Sequence, residues 1–149
     1  MIVFLPCYTR ISILEVVIGS IINADLENFN ERVLILIHNN KPSNNEKIIN
    51  IVKKLKVNHQ VSIEIFNRDI TYVPAILGWF ECINKYIKEN ETLFFLGDDD
   101  LLMPNGLFKR FKQICANKAD ILISKYQSRA FFFKNGKYFI STFDTLNLK

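Results

Sequence analysis

Four short apolar runs alternate along this chain with stretches whose apolar residues recur at helical spacing. The runs cover residues 2–5, 33–37, 61–66 and 92–96. Strands that alternate with helices are joined by crossover connections and therefore lie parallel in one sheet. Runs that are apolar throughout, as residues 2–5 and 33–37 are, are typical of strands covered on both faces. The pattern predicts an α/β fold, a three-layer α/β/α sandwich with a mostly parallel central sheet.

The rest of the chain extends this pattern. A fifth apolar run covers residues 121–124, and two runs that flank Asn135-Gly136 predict a β-hairpin near the C-terminus. With 149 residues, 49% of them hydrophobic, the chain fits a single domain. We expect residues 1–125 to form its core and residues 126–149 to form a basic hairpin and tail. For the helix after the third strand, the spacing predicts four buried residues, Ile76, Phe80, Ile83 and Ile87.

The charge of the chain is unevenly distributed. Residues 1–100 carry a net charge of −3, whereas residues 101–149 carry +7. A basic C-terminal third suits an anionic substrate, a nucleic acid or an anionic membrane surface, and a solvated helix face with a basic tail is the plainer interpretation. No apolar run approaches the ~18 residues of a membrane span, and residues 1–5 are too short for a signal peptide. We therefore expect a cytoplasmic protein. Peripheral contact with the inner face of the membrane is a second expectation that the basic C-terminal third allows.

Three consecutive carboxylates, Asp98, Asp99 and Asp100, follow the fourth apolar run almost directly. Adjacent acids repel one another, so their value to the fold itself is small. Carboxylate oxygens are the ligands that Mg²⁺ and Mn²⁺ prefer, and residues i and i+2 at a strand end point to the same side. Asp98 and Asp100 are therefore the predicted metal ligands. The alternative is an exposed acidic turn that caps the next helix.

Other nucleotide and metal motifs are disfavoured. The five glycines form neither GxGxxG nor GxxxxGK[ST], which argues against a dinucleotide fingerprint and a P-loop. Counting from Asp98, the sixth and twelfth positions are Met103 and Lys109, so an EF-hand loop does not fit. A receiver-type phosphorylation site needs acids at the end of the first strand, where this chain has Pro6-Cys7-Tyr8. A dehalogenase-like phosphatase needs Thr or Val at position 102, where this chain has leucine. An anionic nucleotide would then be held through a metal ion.

The polar loops are expected to meet. In an open parallel sheet, ligands bind outside the carboxyl ends of the strands, and the loops that leave those ends share one edge. Here these loops are residues 6–10, 38–43, 67–72 and 97–100. They hold most of the unusual polar residues among the first 100 positions.

Two of these segments resemble a known family. Residues 3–10, with the sequence VFLPCYTR, are similar to an opening strand and a Pro-x-Tyr-Asn-Arg turn, and residues 95–104 are similar to an Asp-x-Asp segment. Residues 34–43 and 66–67 resemble a strand ending in Asp-Asn-x-Ser and a later Asn-containing turn. Together they resemble the N-terminal, nucleotide-sugar-binding half of a family 2 glycosyltransferase over roughly residues 2–125. The resemblance implies the GT-A, nucleotide-diphospho-sugar transferase type of fold.

The resemblance also implies roles for residues at the base side of the site. Pro6, Tyr8 and Arg10 would lie by the nucleotide base, with the Tyr8 ring as a contact face, although packing at a strand end would also explain this tyrosine. The base-reading aspartate of the family falls at His38, Asn39 or Asn40, and we favour Asn39. An amide both donates and accepts, so the contact would survive with an altered base preference. Asn40 and Asn67 are further candidates, and His38 is interpreted as a strand-end residue.

At the diphosphate side, the resemblance implies that Asp98 contacts the ribose or the metal and that Asp100 binds the metal. Asp99 would be a second ligand or an exposed residue. The implied activity is a metal-dependent, inverting transfer of sugar from a nucleotide-diphosphate donor to a hydroxyl of a saccharide or lipid-linked acceptor, with Mn²⁺ or Mg²⁺ as cofactor. The catalytic base of the family lies well downstream of Asp-x-Asp. Because this chain ends at Lys149, it is short for the family at the C-terminus, and we locate no base.

Asp144 lies late in the chain, but its context favours tail solvation over a catalytic role. Two further hypotheses therefore stay open beside the enzyme. One is a non-catalytic nucleotide-sugar or metal-binding module, or an enzyme remnant. The other, a nucleic-acid-binding domain, is disfavoured, because the run Phe131-Phe132-Phe133 is more typical of a strand than of a base-stacking platform.

Overall fold

A computed structural model describes residues 1–24, 26, 32–88, 91–102, 106–117, 129–134 and 137–142, the last two ranges by their backbone. The chain divides into two compact units, Met1–Gln113 and Ile114–Lys149. Its elements are β1 (Ile2–Cys7), α1 (Ile11–Ile22), β2 (Val33–Asn39), a 3₁₀ turn (Pro42–Asn44), α2 (Asn45–Lys54), β3 (Val61–Asn67), α3 (Ile76–Tyr86), β4 (Leu93–Phe95) and α4 (Gly106–Asn117). This order agrees with the predicted alternation of strands and helices.

Strands β1 to β4 form one sheet in the order β3-β2-β1-β4, and every pairing is parallel. The predicted α/β class with a parallel sheet is confirmed. Strand β1 lies between β2 and β4, and its residues 2–5 are completely buried. In the aligned register, Cys7 is opposite Asn39 and Asn39 is opposite Asn67, so the first three strands end level with one another.

Helices cover both faces of the sheet. On one face, Val3 and Leu5 of β1 share a hydrophobic cluster with residues of α1 and α2. On the other face, Ile2 and Phe4 pack with residues of α3. Because successive side chains of a strand point to opposite faces, one apolar run supplies both clusters. Each large aliphatic side chain that becomes fully buried contributes about 1.5–3 kcal/mol, so β1 organises much of the core.

The predicted inward face of α3 is wrong in its first half. Ile76 and Phe80 are 45% and 57% exposed, whereas Gly78 and Cys82 are buried. A Cβ at position 78 would lie 2.5 Å from Cδ2 of Tyr72, closer than side chains approach, so a glycine there suits the tight packing at this point. The helix therefore presents this bare position inward, and the apolar side chains beside it face outward. Ile83 and Ile87, in contrast, pack against the core as predicted.

The second unit contains the predicted β-hairpin. Strands β5 (Arg129–Lys134) and β6 (Lys137–Thr142) pair antiparallel, with Phe132 opposite Phe139. The turn residues Asn135 and Gly136, the predicted strand at 121–124 and residues 143–149 lie outside the described residues. Among the helices that the structure describes, none combines the length and apolar character needed to cross a bilayer.

Candidate functional site

The turn after β1 meets the acidic loop after β4 at the carboxyl edge of the sheet. The main-chain N–H of Tyr8 donates to Oδ2 of Asp98 across 3.3 Å, and Arg10 forms an ion pair with Asp99. The two segments come together because β1 and β4 are parallel neighbours whose ends point the same way. The structure thus joins the two stretches of sequence that most resemble the glycosyltransferase pattern.

The acidic loop folds back on itself at Gly97. The N–H of Gly97 donates to Oδ2 of Asp100 across 3.2 Å, and the N–H of Asp100 donates to the carbonyl of Gly97 across 3.1 Å. A Cβ at position 97 would lie 2.7 Å from Oδ2 of Asp100 and 3.1 Å from Oδ1 of Asp99. The glycine therefore leaves room for the carboxylates of Asp99 and Asp100 close to its α-carbon.

The donor chemistry of Asp98 and Asp100 fits a hard divalent cation, because carboxylate oxygens are the ligands that Mg²⁺ and Mn²⁺ prefer. Both lie in the loop that the sequence selected for this role. Among the described residues, no three His, Cys, Asp or Glu side chains already converge on one point. Metal binding by these aspartates stays a prediction.

Pro6 and Cys7 are the last two residues of β1, directly before the turn, and they support the carboxyl edge of the sheet. Cys7 is buried and lies near Asp98; burial, and to a lesser extent the neighbouring carboxylate, raise the pKa of its thiol far above the usual value. The thiol therefore stays protonated at neutral pH and does not act as a nucleophile. Pro6 is partly buried and lies opposite His38 in the strand register.

Tyr8 lies at this edge and is 50% exposed, so core packing does not explain this tyrosine. Two residues after β2, which sequence reasoning did not select, contact it. Lys41 places Nζ 5.9 Å from the ring centroid, and Asn44 donates from Nδ2 to the carbonyl of Tyr8 across 2.8 Å. The available signal was their position, because both lie in or next to the loop at the carboxyl end of the second strand.

Asn39 is buried, and its amide is used inside the protein. Its Nδ2 donates to Oδ1 of Asn45 across 2.6 Å and to Oδ1 of Asn67 across 3.4 Å, while its Oδ1 accepts from the N–H of Lys41 across 3.1 Å. The side chain therefore joins the end of β2 to the end of β3 and to the start of α2. Contact between Asn39 or Asn67 and a base stays a prediction, and it would require the amide to exchange these partners.

Asn40 forms hydrogen bonds with the loop between β3 and α3. Its Oδ1 accepts from the N–H of Tyr72 across 2.8 Å, and its Nδ2 donates to the carbonyl of Tyr72 across 3.1 Å. Its own N–H donates to the carbonyl of Cys7 across 2.9 Å. Asn40 thus links loops from three strands, and this geometry favours a structural role over base contact.

His38 is completely buried between aromatic rings. Its imidazole stacks on Phe66, with ring centroids 5.6 Å apart, and lies 6.0 Å from the ring of Tyr72. Neither ring nitrogen has a hydrogen-bond partner among the described residues. Burial lowers the pKa of His38, so the ring is neutral at pH 7. These contacts support its interpretation as a packed residue at a strand end.

The carboxyl edge therefore combines an exposed aromatic ring, two cations and an acidic loop, supplied by three separate connections. An aromatic face can stack a planar base, cations pair with anionic groups, and carboxylates coordinate hard metal ions. Comparison with protein-family models and with curated proteins finds no match for this chain.

Proposed function

We propose that this edge binds a nucleotide-diphosphate sugar and that the protein transfers the sugar to an acceptor hydroxyl as a metal-dependent, inverting glycosyltransferase of the GT-A type. The observation that carries the proposal is the junction between the Tyr8 turn and the acidic loop. It joins the turn that carries an exposed tyrosine to the loop that carries three carboxylates, which supports a site for a nucleobase joined to a metal-bound diphosphate. Stacking on such a ring is worth about 1–3 kcal/mol per base.

In this proposal, Asp98 and Asp100 would hold Mn²⁺ or Mg²⁺, and Asp99 would be a further ligand or an exposed residue. The bound ion would act as a Lewis acid that neutralises the charge of the diphosphate leaving group. Arg10, in the turn after β1, pairs with Asp99 and therefore lies beside the acidic loop. Its planar guanidinium suits phosphate oxygens, because it can donate two parallel hydrogen bonds.

The acceptor is a saccharide or a lipid-linked saccharide, and the proposed location is the cytoplasm. The basic charge of residues 101–149 supports peripheral contact with an anionic membrane that would present such an acceptor. A general base must deprotonate the acceptor hydroxyl during an inverting transfer. No residue among those described takes this role in our proposal.

The second candidate function is a non-catalytic module that binds a nucleotide sugar or a metal ion. It is favoured by the internal contacts of the acids, since Arg10 pairs with Asp99 and the N–H of Tyr8 binds Asp98. These contacts hold the acidic loop to the turn after β1 whether or not a reaction occurs, and a binding module needs no catalytic base. Turnover separates the two candidates.

Titration calorimetry tests the proposal with UDP, GDP, ADP and their sugar conjugates, in MnCl₂ and again in EDTA. We expect at least one nucleotide to bind with the metal and to lose most of its affinity in EDTA. Equal binding in both buffers would exclude the metal role, and no binding in either would exclude the donor site. Release of nucleoside diphosphate from a bound donor then supports the enzyme, whereas binding without release supports the module.

A further inference from the structure

The backbone of Tyr8 is held from both sides by residues of other loops. Its N–H donates to Oδ2 of Asp98 across 3.3 Å, and its carbonyl accepts from Nδ2 of Asn44 across 2.8 Å. Asn44 lies 36 positions away in sequence, at the end of the 3₁₀ turn that precedes α2. Asn44 itself is only 7% exposed, so the contact is partly buried although Tyr8 is not.

These two bonds have a consequence for the ring. Because the bonds fix the backbone of Tyr8, the staggered rotamers of its side chain leave the ring a small set of positions. Asn44 also fixes the neighbouring loop, since its N–H donates to the carbonyl of Lys41 across 2.9 Å. One buried amide residue thus sets the relative position of the Tyr8 ring and of the lysine whose Nζ lies 5.9 Å from it.

We infer that Asn44 is a positioning residue of the nucleotide site, acting through Tyr8 to hold its ring as the stacking face for the base. The inference rests on the proposed function and narrows it, because it assigns recognition of the base to the side of the site formed by β1 and β2. Recognition of the diphosphate then belongs to the acidic loop. Asn44 itself touches no ligand in this arrangement.

A purely structural role for Asn44 makes a different prediction. Removing its amide takes this partner from the carbonyl of Tyr8, which lowers stability under either interpretation. Stability alone therefore does not distinguish them. Two readouts do: which part of the ligand loses affinity, and whether the loss requires the Tyr8 ring.

The experiment measures affinity by calorimetry in MnCl₂ for UDP, GDP and ADP, and for inorganic pyrophosphate as a probe without a base. The variants are Asn44→Ala, Tyr8→Ala and the double variant, with Asn44→Asp as a second form that keeps the side-chain shape and loses the donor. Asn23→Ala is the matched control, because Nδ2 of Asn23 also donates to a main-chain carbonyl, that of Gly19, across 2.9 Å. Asn23 lies at the far end of α1, away from the carboxyl edge.

We expect Asn44→Ala to weaken the preferred nucleoside diphosphate about tenfold, the scale of one hydrogen bond, and to change pyrophosphate affinity less than about twofold. In the Tyr8→Ala background, the loss caused by Asn44→Ala should nearly vanish, because residues that act as one unit are not additive. Asn44→Asp should behave like Asn44→Ala, and Asn23→Ala like the wild type.

The inference would be overturned by an equal loss for pyrophosphate, by an undiminished loss in the Tyr8→Ala background, or by an equal loss in Asn23→Ala. Unchanged nucleotide affinity in both Asn44 variants would overturn this inference and leave the proposed function standing. Failure of the wild-type protein to bind any nucleoside diphosphate would overturn both.

Discussion

The main-chain N–H of Tyr8 donates a hydrogen bond of 3.3 Å to Oδ2 of Asp98, although 90 positions separate the two residues. The bond exists because β4, which precedes Asp98, pairs with β1, which precedes Tyr8. It brings the acidic loop into contact with the turn after β1, so that the loop forms one side of the candidate site. The segment after β2, with Lys41 and Asn44, forms the other side.

Replacing Asp100 by asparagine should abolish metal-dependent nucleotide binding while leaving the melting temperature nearly unchanged. The side chain is exposed, and exposed substitutions usually change stability by less than about 0.5 kcal/mol. An amide is a poorer ligand than a carboxylate for a hard cation. Calorimetry and thermal denaturation measure the two effects, with Glu64→Gln as an exposed control that removes the same charge from β3. A large fall in melting temperature in Asp100→Asn would instead favour a structural role for the acidic turn.

Alanine substitutions at two helical glycines should change stability in opposite directions. A Cβ at Gly78 would lie 2.5 Å from Tyr72 and 2.6 Å from Nε2 of the buried His38, so Gly78→Ala should lower the free energy of unfolding by about 1–3 kcal/mol. A Cβ at Gly19 meets no atom within 4 Å, and alanine favours the helix by up to ~1 kcal/mol, so Gly19→Ala should raise it. Urea denaturation measures both. Similar stability of the two variants would contradict the close packing of α3.

His38 should make the protein sensitive to mild acid. Its pKa is lowered in the folded state by burial, so below the ordinary value of 6.5 the unfolded chain binds a proton that the folded chain excludes. The free energy of unfolding should therefore fall as pH drops from 6.5 toward the folded pKa, by at most about 1.4 kcal/mol per pH unit. Above 6.5 this contribution is constant.

The variant His38→Phe tests this sensitivity, because it keeps a ring beside Phe66 and removes two nitrogens that have no partner in the described part of the chain. Urea denaturation at pH 7.5 and pH 5.5 should show a smaller acid-side loss in this variant than in the wild type. His59→Phe removes the other histidine, which is exposed, and should keep the loss. If His38→Phe loses as much free energy of unfolding at pH 5.5 as the wild type does, the acid sensitivity comes from other groups.

Asn40→Ala should release the loop between β3 and α3. It removes two hydrogen bonds, of 2.8 and 3.1 Å, to the main chain of Tyr72, and we expect a loss of about 2 kcal/mol in the free energy of unfolding. Hydrogen exchange in a peptide covering residues 68–75 should accelerate at the same time. Asn58→Ala is the control, since Asn58 accepts a main-chain bond from Gln60 in an exposed turn. Unchanged exchange in that peptide would show that other contacts hold the loop.

The element order and the parallel sheet could be read from sequence because they follow from local patterns. Apolar runs and helical spacing identify the elements, and short crossover connections leave few arrangements for them. The same reasoning placed Tyr8, Arg10 and the acids at one edge, because loops after parallel strands share that edge. The inward face of α3 was mispredicted, because a glycine carries no hydrophobic signal, although Gly78 is the residue that packs closest.

The sequence by itself determined which segments become strands and helices and which loops emerge at the carboxyl edge, since both depend on spacing along the chain. Only the tertiary structure decided which loops touch. The strand order β3-β2-β1-β4 sets Asp98 beside Tyr8 and lets Asn44 reach the same residue from the other side. Contacts of this kind depend on strand order and on side-chain geometry within a few ångströms. Neither produces a periodic pattern in the sequence from which it could be predicted.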